Sequence, residues 1–493
     1  MSKFMKILSV MLCAILILGC ISGCGEKYKE AYIYFELLEK PKTLDPQLAS
    51  SDSELLIARN IYEGLLRRDI DGKIVNGACE SYTCENLTYT FKLKDDLVWS
   101  DGTPLTAYDF EFGFRRAVDP KIKSPNASRL FAVTNAEQIA NGAADLSSLG
   151  AKAVDEHTFT ITLCREDVNF TDTLTTAVCM PCNQEFFDDS IGKYGLDSKH
   201  IISNGSYRLT KWNKEDFGIR LYKNEEYIGD FEAQNAAVFI SCIGNELQSV
   251  RLNDGDSDMA FMPCGELDNV DTSLFTTQSV QNICWVMTID RNYSPEVRRA
   301  FALGFSNSVY TGALPSGFTA AKSIYPEILG INADGVGLTE YNIDEAKSVM
   351  SAQIGAMENS KFPQSTLYYY EGDGVKALAT AIVGHWQQNF STFINIESST
   401  NLAVMQKEIS ESTLPFALFP ITAKSDLYSE YAKNFVTVSN AADPATLQQE
   451  ALNGNIIIPV AYQNTNISYI STLENVLMEE DNGYIDFSHI IKR

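Results

Sequence analysis

Basic side chains and histidine are scarce in this sequence, and their scarcity limits what the chain can bind. Its 493 residues contain 39 Lys and Arg against 64 Asp and Glu, with only four histidines, and the formal net charge is −25 at pH 7. A protein that binds nucleic acid needs a basic surface to neutralise phosphates, so a nucleic-acid partner is excluded. The acidity favours solubility near an anionic surface but does not identify a ligand.

The sequence also lacks the short motifs that mark common catalytic sites. It contains no H-E-x-x-H, no G-x-S-x-G and no G-x-x-x-x-G-K segment. The histidines are scattered and are not spaced as ligands of one metal ion, at His157, His200, His385 and His489. We therefore expect no enzyme activity, no cofactor and no metal site.

Long apolar runs are absent after the first segment of the chain. Met1–Gly23 carries Lys3 and Lys6 ahead of a mostly apolar run from Ile7 to Ile21, which is short for a membrane span and typical of a secretory signal peptide. The segment ends in I-S-G-C, which puts Cys24 where a bacterial lipobox has its cysteine. We therefore expect an extracytoplasmic protein that a diacyl lipid of the palmitate type on Cys24 anchors to the cell membrane.

Two alternatives to this leader remain open. I-L-G-C, ending at Cys20, is a weaker lipobox because Leu18 is bulky, and a plain secretory peptide with an incidental cysteine is the other alternative. Removing Met1–Gly23 takes away two positive charges and no negative ones, so the net charge goes from −25 to −27.

Eight cysteines follow Cys24, at Cys79, Cys84, Cys164, Cys179, Cys182, Cys242, Cys264 and Cys284. An even count in an exported chain favours disulfides, whereas a chain of this size does not need them. The C-M-P-C segment at Cys179–Cys182 has the spacing of a redox motif, but it precedes N-Q-E-F-F in a loop-like stretch. We favour a structural role for this pair and keep redox or metal chemistry as the alternative.

Hydrophobic periodicity predicts a mixed α/β chain without internal repeats. The mature chain is too long for one hydrophobic core, so we expect two or three domains. Ala31–Leu37 alternates as a strand, and Asp52–Leu66 has a helical apolar stripe behind Ser51 or Ser53 as cap. We also predict strands at Tyr89–Leu93, Phe159–Leu163 and within 460–493, and helices at Pro295–Val309, Asp344–Met357 and Val375–Phe390.

The stretch Trp99–Pro120, W-S-D-G-T-P-L-T-A-Y-D-F-E-F-G-F-R-R-A-V-D-P, is the most informative part of the chain. It predicts a turn followed by a helix that Thr106 caps and whose first turn carries Asp109. Phe110, Phe114 and Ala117 fall on one stripe, which predicts a surface helix packed on a core.

As a whole string this stretch resembles the signature of extracytoplasmic solute-binding proteins of oligopeptide ABC transporters. Other segments extend the resemblance in the order of that family over roughly residues 30–493. They are T-L-D-P (Thr43–Pro46), Ser51–Leu66, S-P-N-A (Ser124–Ala127), K-Y-G (Lys193–Gly195), N-G-S-Y-R-L-T-K-W (Asn204–Trp212), Tyr222–Tyr227, I-I-I-P-V (Ile456–Val460) and Ile485–Lys492.

The resemblance implies an α/β, periplasmic-binding-protein-like fold of the three-lobed class II type. Lobe I would gather 30–67, 182–283 and 460–493, a small lobe II would span 68–181, and lobe III would span 284–459. It also implies a monomer that captures an oligopeptide in a hinged cleft between lobes I and III and delivers it to an ABC transporter permease. A sensory receptor for a signal peptide and a binder of a non-peptide solute remain the alternatives on the same scaffold.

The ligand residues implied by position are Ser50, Ser51, Asp52, Phe261, Met262, Asn282, Trp285, Tyr462 and Gln463. Each of the aromatic residues has core packing as its alternative. Peptide-binding relatives usually carry a G-W-x-x-D-Y-like motif whose Asp pairs with the α-amino group, and here Leu414–Tyr428 places Ala423 or Lys424 at that point. Asp426 or Asp52 would then supply the anchor, unless the peptide terminus is blocked or lies deeper, or the ligand is not a peptide.

Overall fold

The computed structural model describes residues 32–493 apart from 214, 216, 243–246, 307–309, 316, 330, 358–359, 373, 423–443 and 479–483. Its strands are β1 (Tyr32–Glu36), β2 (Leu66–Arg68), β3 (Ile74–Asn76), β4 (Cys79–Glu85), β5 (Thr88–Leu93), β6 (Ala151–Asp155), β7 (Thr158–Thr162), β8 (Tyr207–Lys211), β9 (Gly218–Lys223), β10 (Ala237–Ser241), β11 (Met259–Phe261), β12 (Phe275–Ile289), β13 (Phe318–Ala320), β14 (Ser365–Tyr370), β15 (Ile394–Ser399), β16 (Phe416–Thr422), β17 (Ile457–Ile470), β18 (Leu473–Glu474) and β19 (Ile491–Lys492).

The α-helices are α1 (Asp52–Ile61), α2 (Ala107–Val118), α3 (Ala136–Ala140), α4 (Phe170–Thr173), α5 (Gln184–Asp189), α6 (Gln248–Asn253), α7 (Pro295–Leu303), α8 (Ile343–Ala356), α9 (Val375–Phe390), α10 (Leu402–Ser410) and α11 (Pro444–Leu452). Short 3-10 helices include Ala177–Cys179 and Cys264–Asn269. Within the described residues, no helix is both long and apolar enough to cross a membrane.

One large mixed sheet runs through the molecule in the order β15-β14-β16-β12-β17-β11-β1-β10-β9-β8, with β13 beside β17. β1 is parallel to β10 and β11, and β14 is parallel to β15 and β16. The two longest strands, β12 and β17, are antiparallel partners in the middle of this order. The sheet therefore has two parallel portions that these two strands join.

A separate antiparallel sheet, β4-β5-β7-β6, lies on the same hydrophobic core as the β1 portion of the large sheet. That continuous core includes Ile33 and Phe35 from β1, Phe159 from β7, and Phe110 and Phe114 from α2, all at most 1 % exposed. The β14 portion has its own cores on the two faces of β12. Met287 points into the core that α7 and α9 cover, and Val286 points into the core on the other face.

Several sequence expectations are confirmed. The helix predicted in Trp99–Pro120 is α2, with the backbone N–H of Thr106 donating to Asp109 Oδ2 at 2.7 Å, and its stripe residues are fully buried. Ser51, the first of the two candidate caps, caps α1. The helix at Val375–Phe390 has the predicted bounds, and the strands at Ala31–Leu37, Tyr89–Leu93 and Phe159–Leu163 are found within a residue of their predicted bounds where the chain is described.

Two helix ends were predicted wrongly. α1 ends at Ile61 and not at Leu66, because Tyr62 is extended and Leu66 already belongs to β2. α7 begins at Pro295 behind Ser294, as predicted, but ends at Leu303, where Gly304 is the C-cap, instead of reaching Val309. In both cases an apolar stripe continues past the helix because the following residues enter the core in another conformation. The three-lobe boundaries stay a prediction.

Candidate functional site

The junction between the two portions of the large sheet consists of β12 and β17. Their pairing runs from Phe275 opposite Ile470 to Thr288 opposite Ile457, and it is irregular between Gln281 and Ile283. The residue left over at this irregularity is Asn282, which is buried and accepts a hydrogen bond from Thr465 Oγ1 at 2.7 Å. A bulge bends a strand and increases its twist, so the junction changes direction at Asn282.

Two of the predicted ligand residues, Trp285 and Gln463, contact each other at this junction. Trp285 Nε1 donates to Gln463 Oε1 at 2.7 Å, and Gln463 Nε2 faces Cys264 Sγ at 3.9 Å. Trp285 is only 3 % exposed and packs against Phe318, with ring centroids 6.0 Å apart. Its side chain therefore belongs to the core beneath the junction, which is the alternative that the sequence offered for it.

Tyr462, on the neighbouring part of β17, is likewise engaged by the protein. Its hydroxyl donates to the Ser323 carbonyl at 2.9 Å and accepts from the Lys322 N–H at 3.3 Å. Burial raises the pKa of Tyr462, so the hydroxyl stays protonated and keeps donating. This side chain fixes the segment after β13 against β17.

Phe261 and Met262 follow one another at the end of β11. Phe261 is half-buried and contacts the Phe35 ring edge-to-face at 5.5 Å. Met262 is 3 % exposed, and its N–H donates to the Asn466 carbonyl at 2.9 Å. Of these two residues, Phe261 retains surface that a ligand can contact.

The Ser50–Asp52 segment is organised by one buried carboxylate. Glu54 accepts from the backbone N–H of Lys42 at 2.9 Å and of Thr43 at 3.2 Å through Oε1, and from those of Ser50 at 2.9 Å and Ser51 at 3.1 Å through Oε2. The N–H groups of Ser50 and Ser51 are therefore already paired. These two residues can pair with a peptide strand only through their carbonyl oxygens, and the exposed Asp52 carboxylate follows them in the chain.

An acidic wall, consisting of Glu39 and Asp52, lies next to this segment. Glu39 is exposed, yet the surrounding protein raises its pKa through desolvation and, next, through the charge of Asp52. An exposed carboxyl with a desolvated charge is what the wall of a cleft produces. Sequence reasoning missed Glu39 because it follows β1 in an ordinary charged loop, and no motif marks it.

The end of β14 faces this wall. Desolvation raises the pKa of Tyr370, and the charges of Glu39 and Glu371 raise it further. β14 and β1 are separated by four other strands in the sheet order, so the charge of Glu39 acts on Tyr370 from another portion of the sheet. We take Glu39, Asp52 and Tyr370 as the candidate border of the ligand cleft.

Two sequence predictions fall outside the described residues. Asp426, together with Ala423 and Lys424, lies in 423–443, and both lipidation candidates, Cys24 and Cys20, lie in 1–31. The described part of the departing segment is β16, whose last residues Ile421 and Thr422 pair with Cys284 and Ile283 of β12.

The Cys179–Cys182 pair lies in a buried cluster that joins α2 to the T-L-D-P loop. Arg116 donates to Asp45 Oδ1 at 3.1 Å and Oδ2 at 2.5 Å, and to Gln47 Oε1, while Cys182 Sγ lies 3.6 Å from the guanidinium. Burial raises the pKa of the Cys182 thiol to about 12, whereas a redox cysteine needs a lowered pKa. The arrangement favours the structural role.

The described cysteines after the leader are all free thiols. Among the residues that the structure describes, no group of three or more His, Cys, Asp or Glu side chains is placed to hold a metal ion. The histidines do not converge either. His200 pairs with Asp197 and His489 with Asp486, each three residues away in sequence.

Comparison with known proteins identifies the fold. The family described as "Bacterial extracellular solute-binding proteins, family 5 Middle" matches residues 45–443. The oligopeptide-binding protein OppA of Bacillus subtilis is 24% identical over 428 residues, which cover 81% of this chain and 78% of that protein. The pheromone receptor PrgZ aligns with a TM-score of 0.79 and 20% identity over 94% of this chain and 99% of that structure.

The murein tripeptide binding protein MppA of Escherichia coli gives a similar result, with a TM-score of 0.78 and 20% identity over 93% of this chain and 98% of that structure. These alignments confirm the α/β fold of the class II periplasmic-binding type that the resemblance implied. The family match covers most of the chain, so the protein belongs to the bacterial extracellular solute-binding proteins of family 5.

Proposed function

We propose that this protein is a lipid-anchored extracytoplasmic receptor that captures oligopeptides and delivers them to an ABC transporter permease. The observation that carries the proposal is the family match over residues 45–443, together with the similarity to three proteins that are each described as binding peptides. The lipobox at Cys24 is the basis for the lipid anchor and for the extracytoplasmic location. The proposal includes a monomer that closes on one peptide at a time.

The peptide would lie between the Ser50–Asp52 segment and the end of β14, with the β12–β17 junction beneath it. The exposed Asp52 and the carbonyl oxygens beside it border this space, and Phe261 offers part of its ring. The strands that form the floor of this space would be held in place by the side chains of Met262, Asn282, Trp285, Tyr462 and Gln463. This division follows from their burial and from their existing hydrogen bonds.

The acidic wall would receive the α-amino group of the peptide. An ammonium that leaves water without a counter-charge is destabilised by several kcal/mol, so a peptide receptor needs a carboxylate at this point. Glu39 and Asp52 are carboxylates on the border of the cleft, and the raised pKa of Glu39 means that a cation beside it would relieve an unfavourable charge. Asp426 stays the alternative anchor.

Paired peptides test this assignment directly. We expect short peptides with a free amino terminus to raise the melting temperature, and their N-acetylated counterparts to raise it less. Asp52→Asn and Glu39→Gln should narrow that difference, whereas Asp188→Asn, on α5, should not. If no member of a diverse peptide set changes the melting temperature, peptide capture is wrong.

Delivery to a permease needs a cellular measurement. Deleting the gene should reduce the uptake of a labelled peptide that the purified protein binds. Unchanged uptake combined with an altered transcriptional response to the same peptide would favour a sensory receptor instead.

A further inference from the structure

One face of the large sheet is open to solvent where β8, β9, β10 and β1 lie side by side. Cross-strand partners share a face, so residues in register form rows across these strands. In the first row Arg208 lies opposite Tyr222, and Tyr222 and Tyr32 both lie opposite Ala237 of β10, which stands between them. Arg208 is exposed and both tyrosines are half-buried.

The second row repeats this pattern. Lys211 lies opposite Arg220, Arg220 opposite Phe239, and Phe239 opposite Tyr34. The Phe239 ring centroid is 5.0 Å from that of Tyr32 and 5.5 Å from that of Tyr34, and the Arg220 guanidinium lies 5.3 Å from it. We name these two rows the aromatic–basic face.

The charge of this face is opposite to that of the chain. Its two rows contain three basic residues and no acidic one, although acidic residues outnumber basic ones by 64 to 39 in the whole sequence. Arg208 and Arg220 are exposed and form no ion pair with any residue that the structure describes.

Two acidic residues that border this face are paired with basic ones. Glu36, in the next row, is buried and pairs with Arg251 at 2.8 Å. Asp258 pairs with Lys492 at 2.7 Å, and that ammonium also lies 5.6 Å from the Tyr34 ring. The face is therefore a local positive area with an aromatic centre.

The position of the proposed lipid indicates that the membrane is the partner of this face. Tyr32 is the first described residue, it belongs to the face, and it follows Cys24 by eight residues. Eight extended residues span at most about 29 Å. A lipid on Cys24 therefore keeps the start of β1 within this distance of the membrane, whatever path the intervening chain takes.

We propose that the aromatic–basic face rests on an anionic phospholipid surface and orients the anchored receptor. Tyrosine rings favour the level of the lipid headgroups, and arginine and lysine are attracted to anionic headgroups. The two acyl chains would supply the attachment and the face would supply the orientation. The inference depends on the proposed lipid anchor but not on the identity of the ligand.

A tryptophan reporter tests this contact on the full acylated chain. The four native tryptophans, Trp99, Trp212, Trp285 and Trp386, are at most 3 % exposed, so Tyr34→Trp adds the one surface indole among them. The protein is reconstituted in phosphatidylcholine vesicles with or without phosphatidylglycerol, with a nitroxide quencher on a headgroup. Phe393→Trp, which replaces a 60 % exposed side chain just before β15, is the matched control.

We expect quenching of the Tyr34→Trp reporter on phosphatidylglycerol vesicles, and little quenching of the Phe393→Trp reporter. Removing two charges with Arg208→Gln and Arg220→Gln should lower the ratio of face-bound to free orientations by roughly thirtyfold, about fivefold for each charge. The double change Lys376→Gln and Lys407→Gln, with the same net charge, should leave the ratio as it is.

Equal quenching of the two reporters, or quenching that is independent of phosphatidylglycerol, would overturn the inference. Shielding of the Tyr34→Trp reporter that appears only with added permease or at high receptor concentration would also overturn it, since the partner would then be a protein.

Mass spectrometry of the N-terminal fragment comes first. A chain without lipid on Cys24 would remove the inference, whereas peptide-induced melting shifts of the same variants report separately on ligand capture.

Discussion

The molecule has two internal boundaries, and they are built differently. Between the β4–β7 sheet and the β1 portion of the large sheet, one continuous hydrophobic core crosses the boundary, and the Arg116–Asp45 pair lies inside it, each side chain at most 4 % exposed. The two portions of the large sheet have separate cores, and they are joined by β12 and β17, whose pairing is irregular at Asn282. The first boundary is fused and the second is a junction of two strands.

This difference between the two boundaries shows which part of the molecule the family signature describes. The residues that carry the resemblance most strongly, T-L-D-P and Trp99–Pro120, meet each other at the fused boundary through Asp45 and Arg116. They specify a rigid scaffold. In our proposal the ligand and the closing motion belong to the other boundary, where a bulged pair of strands would permit hinge bending.

The largest expected effect is at the fused boundary. Arg116→Met removes one partner of a buried ion pair and leaves Asp45 charged without a counter-ion, so we expect unfolding free energy to fall by about 3–5 kcal/mol. Arg115→Met, one residue away and only half-buried, should cost about 0.5 kcal/mol or less. Urea unfolding measures both, and similar losses for the two variants would show that the Arg116 cluster is not what fuses this boundary.

The next effect concerns the junction. Gly317 has φ +77°, and a Cβ there would lie 2.7 Å from Cys264 Sγ. These residues belong to segments predicted in different lobes, so Gly317→Ala should oppose the closed arrangement and weaken peptide binding by roughly tenfold, or about 1.4 kcal/mol. Gly312→Ala, with no neighbouring atom within 4 Å of its Cβ, is the control for calorimetric titration. Unchanged affinity of the Gly317 variant would contradict a closure contact.

A smaller effect tests the hydrogen bonds beneath the junction. Gln463→Leu leaves the buried Trp285 N–H without its partner, and we expect a loss of about 1 kcal/mol of unfolding free energy. In a Trp285→Phe background the same change should cost less, because no indole donor remains. Gln281→Leu, whose side chain donates to the exposed Thr319 hydroxyl at 3.1 Å, is the matched change on β12. Equal costs in both backgrounds would mean that the hydrogen bond is not responsible.

The smallest effect is electrostatic. The fold raises the pKa of Glu39, so the protonated form of its side chain is favoured. Any contribution of this group to the free energy of unfolding is therefore present at low pH and is lost as the pH rises through the raised pKa. Glu39→Gln should therefore not lower the melting temperature at neutral pH, yet it should weaken binding of free-amine peptides about two- to fivefold.

Wild-type affinity should fall on acidification from a pH above the ordinary glutamate range, and that fall should disappear in the Glu39→Gln variant. Titration of affinity against pH checks this. A fall that persists in the variant would assign the anchor to another group, with Asp52 and Asp426 as the candidates.

The sequence was sufficient for the scaffold because local rules determine it. The capped helix α2, the strand β1 and the helix α9 follow from periodicity and capping, and the family follows from residues that fold into them. The helix ends at Ile61 and Leu303 did not follow, since tertiary packing decided them.

The candidate site was predictable only in part. Positions carried over from the family indicated the residues at the junction. They did not indicate that Glu54 already accepts hydrogen bonds from the N–H groups of Ser50 and Ser51. The burial of Trp285 and the approach of Tyr370 to Glu39 depend on contacts between residues far apart in the chain. Sequence periodicity does not predict such contacts.

We propose that the second boundary closes on a peptide. The most direct test of this proposal is mass spectrometry of the ligand that remains bound through purification and is released when the protein is denatured. We expect a set of masses that fragment as short peptides with free amino termini. A single compound without peptide fragments would contradict the account and would favour a non-peptide solute on the same scaffold.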